Sequence, residues 1–200
     1  MSNLYTIGCS NHSVDYFLEL LKMYNISAIA DVRSDPYSKH TPQFNQEPLR
    51  VFLNKSNIHY LHFGNEFGAR RNEPEVYTNG KVSFEKVRKL PTFINGVKRI
   101  QNGLSKGMNI ALMCTEKDPI DCHRFLMVSH GIEILSGLTS DHILHTGQIE
   151  STKDVEKRML LHLNLQPDIF NPDMEHTINK AYNIFSERIA YQENRGALHE

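Results

Sequence analysis

The stretch Met108–Arg124, "MNIALMCTEKDPIDCHR", decides how the chain is read as a fold. Its opening, "MNIALMC", is a short, almost unbroken apolar run, the pattern of a strand buried on both faces. A polar loop follows, in which Asp118 stands where an N-cap belongs and Pro119 takes the first helical position. The pattern predicts a helix from there to about Ser136. A buried strand that feeds a helix in this way calls for a parallel sheet with helices laid over it.

The same alternation extends in both directions. "LYTIG" (Leu4–Gly8) reads as a first strand, and Ser13 as the cap of a helix with Val14, Phe17, Leu18 and Leu21 on one face. "SAIADVR" (Ser27–Arg33) is a second strand. A short helix with Leu49, Phe52 and Leu53 leads to a third strand, "IHYLHFG". The segment "NEFGARRNEPEVYTNGKVS" reads as a loop, and helical material from Phe84 to about Ser105 is broken at Pro91. "SDHILHTG" supplies a fifth strand. Helices are expected from about Ser151 to Leu163 and from Met174 to Glu193, the second with Ile178, Ala181, Phe185 and Ile189 on one face. The expected fold is therefore a three-layer α/β arrangement, a mostly parallel sheet of about five strands flanked by helices, with a C-terminal helical extension. Residues 1–150 would form the α/β domain, and residues 151–200 the extension packed on it.

Composition narrows the function. With 22 basic and 23 acidic residues among 200, the net charge is −1, so the whole-protein field does not indicate nucleic acid as a partner. No run of about 18 apolar residues is present, which argues against a membrane span. The N-terminus lacks the basic and apolar regions of a secretory signal. Three cysteines, at positions 9, 114 and 122, are too few and too odd for a disulfide framework and fit a reducing cytoplasm.

In a parallel sheet the loops leaving the strands share one edge, where open α/β folds bind ligands. Here those loops are "GCSNHS", "VRSDPYSKHTPQFN", "GNEFGARRN" and "CTEKDPIDCHR", and they hold most of the reactive side chains. Cys114 ends a strand and is either a packed core thiol or a group turned toward the ligand edge. Cys122 falls in the first turn of the expected helix, where the dipole favours a thiolate, or else it faces the sheet. Arg124 near a helix N-terminus opposes the dipole, which hints at an anion to grip; a salt bridge to Asp31 or Glu116 is the plainer alternative. Asp31 and Arg33 are two apart and share a strand face, either as a structural pair or as a general base beside an anion clamp. His12 and His123 suit proton transfer near neutral pH. Ser10, Asn11, Glu116 and Arg70 complete the set of groups able to touch a substrate, with Arg71 and Glu66 nearby in sequence. A zinc site made from Cys9, His12, Cys114, Cys122 and His123 is disfavoured, because no C-x₂-C or H-x₃-H spacing occurs and adjacent Cys122 and His123 would struggle to aim at one ion. No Walker loop and no G-x-G-x-x-G follows a strand, and no cofactor is expected.

"YTIGCSNHS", "DVRSDPYSKHTPQFN", "HYLHFGNEFGARR", "ALMCTEKDPIDCHR" and "DHILHTG", in this order from Tyr5 to Gly147, resemble the domain of unknown function 488 family. The resemblance implies a bacterial or archaeal intracellular α/β protein in which Cys114, Cys122, Arg33 and Arg124 belong to recurring motifs. The family's first motif commonly reads T-I-G-H-S, and Cys9 stands here in place of that histidine. A strand ending in "DVR" and a later one ending in cysteine are also similar in layout to rhodaneses and cysteine phosphatases. Their C-x₅-R spacing is missing, since Arg124 lies ten residues after Cys114.

The resulting expectation is an enzyme acting on a phosphate-bearing or other anionic, nucleotide-like substrate. Arg33 and Arg124, with Arg70, would clamp the anion; Cys114 or Cys122 would be the reactive thiol, and His12 or His123 the proton carrier. The alternatives are a non-catalytic nucleotide or nucleic-acid binding module and a metal-dependent hydrolase. The oligomeric state is not encoded in any motif.

Overall fold

The computed structural model describes residues 3–166 and 173–193. The chain passes through β1 (Leu4–Gly8), α1 (Val14–Met23), β2 (Ala28–Asp31), α2 (Gln46–Lys55), β3 (His59–His62) and α3 (Gly64–Phe67). A small hairpin of β4 (Tyr77–Thr78) and β5 (Lys81–Val82) precedes α4 (Phe84–Arg88) and α5 (Pro91–Ser105). Then come β6 (Ile110–Cys114), α6 (His130–Ser136), β7 (Asp141–Ile143), β8 (Ile149–Ser151), α7 (Thr152–His162) and α8 (Met174–Ile189).

Six strands form one sheet in the order β3-β2-β6-β1-β7-β8. All neighbours pair in parallel except β7 and β8. Strands β1, β2 and β6 are buried along their whole length, which explains their largely apolar sequence, whereas edge strand β3 alternates exposed and half-buried residues. With the flanking helices and the additional α7 and α8, this is the three-layer α/β fold with a C-terminal helical extension. The reach of that extension over residues 167–172 and 194–200 lies outside the described residues.

Strand parity sorts the side chains into two cores. Tyr5, Ile7, Ile29, Ala111, Met113 and Ile143 pack under α1 and α2 with Phe17, Leu21, Leu49 and Leu53. Leu4, Ala28, Ala30, Ile110, Leu112 and Cys114 pack on the other face against Phe93 and Val97 of α5, Phe125 and Leu126, and Ala181, Tyr182 and Phe185 of α8. Connections out of β1 and β6 therefore leave on opposite faces, and these two strands are neighbours. Such a reversal point opens a crevice at the carboxyl edge of an α/β sheet. The register sets Gly8 beside Cys114 at the top of that crevice.

Besides the short helical turn α3, which falls where a loop is expected, three local features depart from the expected pattern. The helix expected from Pro119 to Ser136 is broken. Pro119–Asp121 make one 3₁₀ turn, Cys122 is extended at φ −136° and ψ 137°, and Arg124–Ser129 wind as a wide π-type turn before α6. Asp118 does cap this start, accepting from the Ile120 N–H at 3.1 Å, but the cap serves a single turn. The loop around "YTNGKV" contains the β4–β5 hairpin, turned by Asn79 and Gly80, both at positive φ (51° and 77°). An Asn-Gly pair flanked by short apolar residues is a hairpin signal in its own right. Strand β8, antiparallel at the edge, is the third departure. Ser13 caps α1 as its position predicts, accepting from the Tyr16 N–H at 3.2 Å. No helix among the described residues is long and apolar enough to cross a membrane.

Candidate metal centre

Cys114 closes β6 with its side chain on the α5 face. Two residues on, past a bend at Thr115, Glu116 turns its carboxylate back toward Cys114. Glu116 Oε2 lies 3.0 Å from Cys114 Sγ and 3.1 Å from Cys122 Sγ, so one carboxylate oxygen sits between the two sulfurs. His123 Nδ1 is 3.6 Å from Cys114 Sγ, while its Nε2 sits 3.0 Å from the Val32 carbonyl oxygen at the exit of β2. The carbonyl can only accept, so Nε2 carries a proton, and Nδ1 is the ring nitrogen turned toward the thiols. One donor atom from each of Cys114, Glu116, Cys122 and His123 lies within 4.8 Å of the others.

Adjacent residues 122 and 123 reach one point because the chain changes conformation between them. Cys122 is extended and His123 is helical at φ −62°, ψ −22°, so their side chains converge. The objection to zinc from their adjacency assumed one continuous helix, which the break at Cys122 removes. The same break takes Cys122 out of the first turn of a regular helix. Its local polarity comes instead from the Arg124 N–H, which points at Sγ over 3.5 Å.

Burial and neighbours set the protonation of the cluster. Burial pushes the Cys114 thiol well above its ordinary value, and the adjacent Cys122 pushes it further. Burial opposes ionisation of Cys122 too, but hydrogen bonding from Cys114, the Arg124 guanidinium and His123 hold it well below the ordinary thiol value. Burial alone would lower His123; its contact with Cys122 raises it. Glu116 is raised by burial and by the charge on Cys122. One thiol of the pair thus ionises readily while the other keeps its proton.

Arg124 is fully buried. Its Nη1 donates to the Glu116 carbonyl at 2.6 Å and its Nη2 to the Lys117 carbonyl at 3.2 Å, so the guanidinium folds the loop over the strand end. Its Nε finds no partner among the described residues. Gly8 makes room for this fold: a Cβ there would stand 2.0 Å from the Glu116 carbonyl oxygen. The exit of β1 is tied to the same loop, with the Cys9 N–H on the Cys114 carbonyl at 2.8 Å and the Ser10 N–H on the Thr115 carbonyl at 2.7 Å.

The remaining candidates are distributed around the edge without joining the four donors. Asp31 and Arg33 lie on the opposite face, toward α1 and α2. Arg33 makes a bidentate pair with Asp31, including a 2.6 Å contact, and donates to the Phe44 carbonyl at 2.8 Å. Tyr60 adds a 2.5 Å hydrogen bond to Asp31. Cys9 packs into that face, its thiol pushed up to about 11 chiefly by burial. His12 stacks edge-on against Tyr16 at 5.1 Å and is held below its ordinary value by burial, then by His145 and Lys117. Ser10 Oγ bonds to exposed Asn11 at 3.3 Å. Arg70 lies 5.6 Å over the Tyr191 ring, Arg71 pairs with Glu73 at 2.5 Å, and Glu66 pairs with Arg99. A cavity of about 230 Å³ lies elsewhere, between α5 and the sheet, lined by Ala28, Ala30, Ile100, Gly103 and Ile110 among others.

A protein-family profile matches residues 13–130, more than half of the chain, and that span holds all four donors. The chain belongs to the family described as Domain of unknown function DUF488. The family match begins after β1 and ends at the start of α6, so "YTIGC" and "DHILHTG" lie outside it. No curated protein and no solved structure matches the chain.

Glu116 as a fourth donor is the role that the sequence reading missed, although Glu116 stood among its substrate-binding groups. The signal is present as C-x-E at a strand end followed by C-H, four metal-ligating residues close together in the sequence. A polar network, Thr6 Oγ1 to His142 Nδ1 at 2.8 Å and His142 Nε2 to Thr152 Oγ1 at 3.2 Å, was also not legible as a unit.

Proposed function

We propose that this protein is a metal-dependent enzyme. In this reading Cys114, Glu116, Cys122 and His123 hold a zinc-like divalent cation, and the substrate carries a phosphate or another oxyanion. The observation that supports it is the convergence of four donor atoms within 4.8 Å at the carboxyl edge of the sheet. Two sulfurs, one imidazole nitrogen and one carboxylate oxygen suit a borderline-soft ion such as Zn²⁺. Tetrahedral zinc sets such donors roughly 3.5–3.8 Å apart. The sulfur–carboxylate distances of 3.0 and 3.1 Å need only open slightly as the protons shared across them leave. His123 is aligned by Val32, the usual outer support of a metal-bound imidazole. A cation at this place would polarise a substrate oxygen or activate a bound water.

The thiol-nucleophile reading has less behind it. Cys114 and Cys122 are 3% and 1% exposed, and both point at Glu116 rather than outward. The arginine-clamp reading weakens for a similar reason: Arg33 is engaged by Asp31 and Phe44, and Arg124 by two backbone carbonyls. Here the arginines brace the edge, and an oxyanion would meet the metal. No observation favours a nucleotide or nucleic-acid module.

The test is the metal content of protein purified under reducing conditions without added chelator. About one zinc per chain is expected, with its loss in Cys122→Ala. A folded wild-type protein that takes up no zinc or cobalt, and whose thiols alkylate faster than free cysteine, would return the choice to a nucleophilic cysteine.

A further inference from the structure

The four donors are not held alike, and the difference points to how the centre would work. Cys114 is fixed by β6, whose register with β1 continues through the Cys9 N–H to Cys114 carbonyl bond. Cys122 sits on the chain break between the 3₁₀ and π-type turns, and its sulfur already receives the Arg124 N–H. His123 is pinned from behind by the Val32 carbonyl and is 8% exposed. Glu116 alone belongs to an exposed residue. Beyond its own backbone N–H, its carboxylate is held by hydrogen-bond contacts with the two sulfurs, and metal binding removes the protons that those contacts need.

We propose that Glu116 is the exchangeable ligand of this centre, and that the position it leaves is where a substrate oxyanion or a water binds. The inference rests on the metal reading above. Its backbone would stay in place during the exchange, because Arg124 holds the Glu116 carbonyl and Ser10 holds that of Thr115. Only the side chain has to rotate. Charge favours an anion as the incoming group. A dication with two thiolates and one carboxylate carries −1, and release of the carboxylate leaves a neutral centre in front of the buried Arg124 guanidinium. An entering phosphate, carboxylate or hydroxide oxygen replaces the lost negative charge, and a neutral thioether or amine would not. Sites whose fourth position opens are the catalytic kind, whereas four fixed protein donors mark a structural ion.

Cobalt(II) makes the exchange visible, since its thiolate charge-transfer and ligand-field bands report sulfur ligation and coordination separately. Wild-type, Glu116→Ala and Cys122→Ala proteins would be loaded with cobalt, and the first two titrated with azide as a small anionic ligand. Glu116→Ala should keep one cobalt and its thiolate band, and bind azide at least about tenfold more tightly than wild type, because no protein carboxylate competes. Cys122→Ala should lose the band. Equal azide affinity in wild type and Glu116→Ala would overturn the exchange while leaving the metal centre standing. Loss of cobalt from Glu116→Ala as complete as from Cys122→Ala would make Glu116 a fixed ligand and also overturn it. Absence of any thiolate band in the wild-type protein would remove the metal centre itself, and the exchange with it.

Discussion

His142 offers the sharpest test of how the sheet is built. It lies in β7 beside Thr6 of β1, fully buried, and spans from the Thr6 hydroxyl to that of Thr152 at the start of α7. The Thr152 hydroxyl donates to the Ser140 carbonyl at 2.7 Å, so it can only accept from the ring. Nε2 is therefore protonated, and Nδ1 accepts from Thr6. Burial, aided by the Arg124 and Arg158 charges, lowers the pKa from 6.5 to about 3. In the unfolded chain the same imidazole titrates near 6.5, so below that pH the unfolded state binds a proton that the folded state refuses. The stability associated with neutral His142 is intact above pH 6.5 and is lost as pH falls toward 3. Between pH 7 and pH 5 the loss is about 2 kcal/mol, from 1.36 kcal/mol per pH unit below 6.5. That is a large part of a typical reserve of roughly 5–15 kcal/mol. The chain has no tryptophan, so urea unfolding would be followed by far-ultraviolet circular dichroism at both pH values. His142→Gln should be less stable at pH 7 by about 1–3 kcal/mol, from hydroxyls left without their partner. It should lose about 2 kcal/mol less than wild type on going to pH 5. His130, also lowered to about 3 by burial, contributes equally to both proteins and cancels. Equal losses in the two proteins would refute the assignment of a neutral, buried His142.

Other expectations follow from the candidate centre and its supports. If a cation is held, free metal at about 1,000 times its dissociation constant stabilises the fold by about 4 kcal/mol, and chelation should lower the Tm of this 200-residue chain by about 10 °C. An unchanged Tm in protein shown to have lost metal would contradict that coupling. Gly8→Ala places a Cβ against the Glu116 backbone and should cost about 1–3 kcal/mol together with metal occupancy, measured by urea unfolding and metal analysis. Arg124→Lys keeps the charge but cannot reach both carbonyls, and should destabilise by about 2–3 kcal/mol in the same unfolding assay. Cys9, buried and with its thiol pushed up to about 11, should resist alkylation in the folded protein, and Cys9→Ala should keep its metal. Rapid modification of Cys9 under native conditions would show that it is accessible.

Much of the fold was written in short-range pattern. Largely apolar runs marked β1, β2 and β6, helical spacing marked α1 and α8, and Ser13 and Asp118 marked two caps, because burial on both faces or on one stripe constrains residue type directly. The clustering of reactive side chains at the carboxyl edge was also legible, since a parallel sheet sends every such loop to one side. Contact along the sequence could not show which of those groups meet. Strand parity put Asp31, Arg33 and Cys9 under α1 and α2, and Cys114 under α5, so groups that looked equivalent on paper lie on opposite faces. The break at Cys122 brought adjacent residues to one point where a regular helix would have splayed them, and Gly8 admitted the loop that carries Glu116. The sequence by itself determined the layers and the edge; the tertiary structure decided the partners. Side-chain direction depends on the chain's conformation at each residue, and at Cys122 that conformation is set by packing between the sheet and the π-type turn rather than by local propensity.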